Sequence, residues 1–276
     1  MHLTQENNLN VDARLLNIEN LSISTQDQIL LEGLNLHLQA GDTLAIVGES
    51  GSGKTISCLA MMGLLPEKLK TSGRIIIDSK NILEIDEKTQ THIRGCQIAM
   101  IFQEPSTALN PLHRVEKIVG ENFILQGGSK AKAQQQVIQL LKDVGIANPE
   151  YILKRYPHEL SGGQKQRVMI AAALVLQPKI LIADEPTTAL DVILQTQILE
   201  LLKSLQSKYG MALILISHDL NLVRRYADKL IVLHKGQVVE QGQLQQIFKN
   251  PASIYTQQLL DHDIGFAEQR STSHKI

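Results

Sequence analysis

The run Gly48-Glu49-Ser50-Gly51-Ser52-Gly53-Lys54-Thr55 constrains the fold more than any other stretch, because a glycine-rich turn gives way at once to a lysine and a hydroxyl residue. Ahead of it lies the compact apolar run Thr43-Leu44-Ala45-Ile46-Val47, and behind it Ile56 to Leu65 reads as a helix that Pro66 ends. The expectation is strand, loop, helix. Gly48, Gly51 and Gly53 can adopt backbone conformations closed to other residues, so successive N–H groups can turn inward around an anion. The following helix adds its positive end. Lys54 would supply a point charge to β- and γ-phosphates, and Thr55 a hydroxyl for Mg²⁺.

Three further apolar runs read as buried strands: Ile98 to Ile101, Ile180 to Ala183 and Ala212 to Ile216. Each leads into polar residues, respectively Gln103, Asp184-Glu185 and Ser217-His218, and in open α/β sheets ligands meet the carboxyl ends of strands. Asp184 suits the Mg²⁺ shell, while Glu185, pointed differently by strand alternation, suits a general base that polarises water. The Gln103 amide could reach the metal or that water, and His218 the γ-phosphate. An acidic pair at a strand end commonly just begins a loop, and a lone histidine is usually structural. Their value comes from the company of Lys54.

Elsewhere, Leu15 to Ile23 and Ile29 to Leu38 alternate apolar with polar residues, and Gly73 to Asp78 repeats the style, which predicts a small antiparallel sheet packed on the core. Between Gln103 and about Gln177 the pattern turns helical, with Lys130 to Val144 and Ser161 to Leu176 as segments, and Leu190 to Lys208 is a long amphipathic helix. Ser161 is a natural helix N-cap. The fold class expected is α/β: a P-loop NTPase (RecA-like) core with an antiparallel β subdomain and an α-helical subdomain inserted at about 104–177. A polar tail over 1–13, one domain over 14–260 and a mobile tail over 261–276 complete the organisation.

Composition narrows the function. A formal net charge of -1 gives no global pull toward nucleic acid or an anionic membrane surface. No uncharged run approaches the roughly 20 residues a membrane span requires, so a membrane role must come through a partner. Cys58 and Cys96 lack metal-ligand spacing and read as two thiols in a reducing cytoplasm.

The phosphate loop, Gln103, Leu160-Ser161-Gly162-Gly163-Gln164, Asp184-Glu185, Ala189-Leu190-Asp191 and His218 stand in the order seen in ATP-binding-cassette (ABC) ATPases, which the chain resembles from about residue 14 to 260. The resemblance implies that ATP and Mg²⁺ are bound by residues 48–55, Gln103 and Asp184, with Glu185, His218 and Gln103 catalytic. It also implies that Ser161, Gly162, Gly163 and Gln164 cap the γ-phosphate held by an opposite subunit, by the logic of an anion at a helix N-terminus. Asp191 would link the two sites, or simply cap the helix after it.

Ile101-Phe102-Gln103-Glu104-Pro105, Leu109-Asn110-Pro111-Leu112 and Tyr156-Pro157-His158-Glu159-Leu160 are similar to the ATP-binding subunits of dipeptide, oligopeptide and nickel importers. That implies an ATP-hydrolysing subunit of a membrane importer for peptides, with nickel or another small solute as the alternative. A soluble ABC ATPase acting on nucleic acid is disfavoured, for the chain has no sustained heptads, cysteine clusters or basic footprint. The implied partners are permease subunits, a second cassette that is a copy or a paralogue and, indirectly, an extracytoplasmic solute-binding protein; nucleic acid is not expected. The implied place is the cytoplasmic face of the inner membrane.

Three departures matter. Relatives often carry a cysteine-bearing tail beyond a stretch like Pro251 to Thr256, whereas no cysteine follows here, which excludes an iron–sulfur cluster in that tail. Relatives commonly stack adenine on an aromatic residue near the first strands, whereas the first aromatic residue here is Phe102. Thr25 or a nearby aliphatic residue is then expected in that place, with weaker base selectivity and affinity. Finally, some peptide transporters fuse two cassettes, and this chain resembles a single, amino-terminal one.

Overall fold

A computed structural model describes residues 14–187 and 191–262. The chain runs through β1 (Arg14–Ser24), β2 (Ile29–Gln39), β3 (Thr43–Val47), α1 (Lys54–Met61), β4 (Lys70–Ile77), β5 (Lys80–Asn81), α2 (Glu87–Cys96) and β6 (Ile98–Ile101). Five helices follow: α3 (Pro105–Ala108), α4 (Val115–Leu125), α5 (Lys130–Asp143), α6 (Pro149–Ile152) and α7 (Gly162–Leu174). The chain then returns through β7 (Ile180–Asp184), α8 (Val192–Tyr209), β8 (Ala212–Ile216), α9 (Leu220–Tyr226), β9 (Lys229–His234), β10 (Gln237–Gln243) and α10 (Leu244–Lys249). Residues 254–262 are helical.

The strands form one ten-stranded sheet in the order β5-β4-β1-β2-β10-β9-β3-β8-β7-β6. β3, β8, β7 and β6 pair in parallel, and each is apolar on both sides because each is covered on both sides. Alternation divides their side chains between two cores. Ala99, Ile101, Leu181, Ala183, Leu213 and Leu215 face one that includes α7 and α8. Ile98, Met100, Ile180, Ile182, Ile214 and Ile216 face another, shared with α1 and the antiparallel strands.

The alternating strands β1, β2 and β4 pair antiparallel, as their sequence pattern requires. They pack on the core through the apolar cluster they share with α1 and the central strands, and β2 also meets β10 in parallel at Glu32 and Gln237, which joins the small sheet to the large one. β9 and β10 turn at Lys235 (φ 48°) and Gly236 (φ 81°), both left-handed, which suits the twist of a tight hairpin.

α1 starts at Lys54 and stops at Met61, well short of Pro66. The terminator is Gly63, whose φ of 62° lets the Leu64 amide bond back to the Leu59 carbonyl at 2.8 Å. α5 is capped by Ser129 and α8 by Asp191. The helices between β6 and β7 are tied to α8 through Asp143, which accepts hydrogen bonds from the Tyr209 hydroxyl (2.6 Å) and Gln139 (2.9 Å) and pairs with Lys208 (2.6 Å). Asp261 and His262, expected in the C-terminal tail, belong to the helical residues 254–262; residues 1–13, 188–190 and 263–276, where the rest of the expected tails fall, lie outside the described residues.

Candidate functional site

β3, β6, β7 and β8 deliver their carboxyl ends to the same edge, and the loops after them enclose a cavity of about 510 Å³ lined by Leu30, Ser50, Gly51, Gly53, Lys54, Thr55, Ile56, Gln103, Glu185 and His218. Residues far apart in sequence thus meet as the reading of the strand ends expected.

The glycines of the loop are there for two distinct reasons. At Gly48 (φ 150°) a Cβ would lie 2.1 Å from the Leu233 carbonyl oxygen, and at Gly53 (φ 105°) 2.9 Å from that of Leu30, so neighbouring backbone leaves no room. Gly51 (φ 78°) has open space around it, and only its left-handed backbone demands glycine. Lys54, 6% exposed, donates from Nζ to the carbonyls of Gly48 (2.7 Å) and Glu49 (2.9 Å). Burial lowers its proton affinity, while Glu185 and Asp184 oppose the shift.

Asp184 ends β7 and is buried; burial and the neighbouring Glu185 raise its proton affinity, against Lys54 and the Thr55 hydroxyl that hydrogen-bonds it. Glu185 sits at φ 44°, its amide bonded to the Ile216 carbonyl at 3.1 Å. A left-handed glutamate is unusual. The turn aims its carboxylate into the cavity, where Oε2 accepts from Gln103 Nε2 at 3.2 Å and lies 3.5 Å from His218 Nδ1. Asp219, next to His218, caps α9 through the amides of Asn221 and Leu222, which fixes the histidine's backbone.

Ser161, Gly162, Gly163 and Gln164 are not part of this cavity. They open α7, where the Ser161 hydroxyl accepts from the Gln164 amide (3.3 Å) and the Gln164 side chain from the Ser161 amide (3.0 Å), a reciprocal cap. A Cβ on Gly162 or Gly163 would meet nothing within 4 Å, so that helix start is sterically open. Asp191 caps α8 through the amides of Ile193 and Leu194 at 3.1 and 3.0 Å.

Two features are hidden from pattern reading. Gln166 on α7, 1% exposed, donates to the Pro186 carbonyl at 2.9 Å, and Gln195 on α8 donates to that of Thr187 at 3.1 Å. These amides hold the segment beside Glu185. A glutamine on the apolar face of a helix was the available signal. The second is Leu30, which lines the cavity, whereas the Thr25 hydroxyl accepts from the Asp27 and Gln28 amides in a turn. Of the residues considered for the missing aromatic, the aliphatic one is at the wall.

A glycine-rich loop, a buried lysine, an oxygen pair at Thr55 and Asp184 and a carboxylate aimed into the same cavity are the parts of a P-loop nucleotide-hydrolysing cassette. The model of the family described as "ABC transporter" matches residues 31–188, and the chain belongs to that family. The chain is 46% identical over 268 residues to the dipeptide transport ATP-binding protein of Escherichia coli (strain K12), covering 93% of this chain and 80% of that one. It is 46% identical over 254 residues to the oligopeptide transport ATP-binding protein of Bacillus subtilis (strain 168), covering 90% and 71%. Against the peptidoglycan transport ATP-binding protein of Agrobacterium fabrum it is 47% identical over 253 residues, covering 89% of this chain but only 46% of that longer one. Among solved structures, cbiO1 from Clostridium perfringens, part of an ABC transporter complex, superposes with a TM-score of 0.77 at 31% identity, covering 94% of this chain and 100% of its own. An ATP-binding cassette in a dimeric post-hydrolysis state with ADP and Pi superposes with a TM-score of 0.72 at 30% identity, covering 83% and 98%.

Proposed function

We propose that the chain is the ATP-binding and ATP-hydrolysing subunit that powers a membrane importer of peptides, of the dipeptide and oligopeptide type. The observation that carries the chemistry is the meeting of Lys54, Gln103, Glu185 and His218 around one cavity. The backbone amides of residues 48–55 and the Lys54 ammonium hold the phosphates. Glu185 accepts the proton of the attacking water; Gln103 orients its carboxylate and His218 fixes the γ-phosphate. The hard oxygen donors of Thr55 and Asp184, joined by Gln103, suit Mg²⁺, which would neutralise charge on the β- and γ-phosphates when bound.

The exposed start of α7 is the second half of a site whose first half lies on another cassette. Its open glycines let a phosphate approach the backbone, and Asp191, the cap of α8, is the candidate for communication between the two halves. One cassette therefore presents two half-sites, and a second, copied or paralogous, completes them.

No helix among the described residues is long and apolar enough to cross a membrane, so the permease is a partner. A groove of about 450 Å³ beside Gln103, lined by Met62, Phe102, Leu125, Met169 and Leu176 among others, joins the parallel strands to the helical lobe and suits its cytoplasmic helices. Phe102, 46% exposed next to Gln103, would carry their movement into the site. The chain works at the cytoplasmic face of the inner membrane, and the solute-binding protein acts through the permease. Peptide cargo rests on relatives named for dipeptide and oligopeptide transport.

Cells carrying only Glu185→Gln should lose uptake of labelled di- and oligopeptides, while the variant still binds ATP and is still recovered with permeases from membranes. Unchanged turnover would sink the general-base role; retained turnover with no peptide uptake by the wild type would sink the cargo.

A further inference from the structure

The last helical residues of the described chain reach the phosphate loop at Glu49, and none of them lines the cavity. After α10 the chain is folded back by Glu240 on β10, whose carboxylate accepts from the Ala252 amide (2.8 Å) and the Ser253 amide (3.1 Å). This clamp starts the helical residues 254–262 and delivers Tyr255 onto His234, at the end of β9, with ring centroids 4.0 Å apart and planes inclined by 37°. The Tyr255 hydroxyl is fully enclosed beside the Glu49 backbone, without a hydrogen bond of good geometry. Burial, the larger influence, raises its proton affinity.

Glu49 is the residue on which the loop turns. Its carbonyl accepts from Lys54 Nζ at 2.9 Å and from the Ser52 amide at 3.2 Å. The preceding residue of β9, Leu233, is the one whose carbonyl bars a Cβ at Gly48. Tyr255 is thus wedged between the strand end that shapes the start of the loop and the turn that holds Lys54. The apolar cluster beneath joins the same parts: Ala45 and Val47 of β3, Leu220 and Val223 of α9, which follows His218, and Leu260, with Tyr255 packed against them.

We infer that Tyr255, delivered by the Glu240 clamp, is a positioning residue that sets the Glu49 turn, and through it Lys54, for phosphate. The inference rests on residues 48–55 being the nucleotide site. Because the hydroxyl makes no well-formed bond, the ring's volume carries the effect.

The test is binding of a fluorescent ATP analogue to the purified full chain, with denaturation midpoints measured alongside. Tyr255→Ala should weaken binding about tenfold, within the range by which small misplacements act, and raise KM for ATP far more than it lowers kcat. Tyr255→Phe should bind within about twofold of wild type, since ring packing survives. Leu260→Ala, which removes volume from the same apolar cluster, should lower the midpoint and leave affinity unchanged. Wild-type affinity in Tyr255→Ala, or a loss in Leu260→Ala as large at equal destabilisation, would overturn the inference. If Tyr255→Ala does not fold, His234→Ala and Tyr255→Leu take its place with the same expected loss, and wild-type affinity in both would be equally decisive. Lys54→Ala separates the two levels: undiminished binding there refutes the site itself, whatever Tyr255 does.

Discussion

Replacing Gly48 by alanine tests whether the strand behind the phosphate loop dictates the loop's shape. Gly48 has φ 150°, and an added Cβ would sit 2.1 Å from the Leu233 carbonyl oxygen and 2.6 Å from Ser52 Oγ. The serine can rotate away; the carbonyl cannot, because β9 is paired with β10 through Leu233 and Val238 and with β3 on its other side. The backbone conformation itself costs an alanine about 1–3 kcal/mol, and forcing a packed neighbour aside adds about 1–3 kcal/mol. Gly51→Ala is the internal control, since φ 78° is left-handed but nothing lies within 4 Å of the new Cβ. It should cost about 1–2 kcal/mol from backbone strain alone. Urea denaturation of both purified variants should therefore separate them by about 1–3 kcal/mol, the clash term. Nucleotide binding sharpens the contrast: Gly48→Ala must displace either the loop or β9 and should weaken ATP analogue binding more than Gly51→Ala. Coincident urea midpoints and equal affinities would refute the claim that Leu233 templates the loop.

Asp184→Asn should stabilise the nucleotide-free chain while abolishing Mg²⁺-dependent turnover. Burial, then Glu185, raise the folded-state pKa of Asp184 above its unfolded value, so the stability this group contributes is present below the unfolded value of about 3.9 and lost as pH rises through the folded one. The variant's advantage in urea should thus be seen at pH 7 and fade toward pH ~4; a variant less stable than wild type at pH 7 contradicts the sign. Leu30→Tyr would place an aromatic ring at the cavity wall; if the base lies there, stacking worth about 1–3 kcal/mol tightens ATP analogue binding roughly 5- to 150-fold. No gain in titrations with the variant would move the base elsewhere.

What was legible in the sequence is what local chemistry determines. The phosphate loop announces itself because glycines, lysine and hydroxyl act within eight residues, and the parallel strands β3, β6, β7 and β8 because double-sided burial makes them apolar but for Thr43 and Asp184 at their ends. Glu185, Gln103 and His218 were readable as strand-end residues, and parallel pairing of β6, β7 and β8 brings strand ends together whatever the intervening lengths. Illegible were contacts that depend on where distant chain returns. The end of α1 belongs to Gly63 rather than Pro66, since one left-handed residue can close a helix before a proline is reached. Gln166 stands out only as a glutamine on the apolar face of a helix, and its partner is unreadable until the chain after β7 lays Pro186 beside it. Tyr255 is the extreme case: its meaning comes from Glu49, some two hundred residues earlier, and from a carboxylate at Glu240 that bends the chain back. Residues that perform chemistry are selected for type and so leave a pattern. Residues that hold them in place are selected for volume at one point in space, and volume leaves no motif.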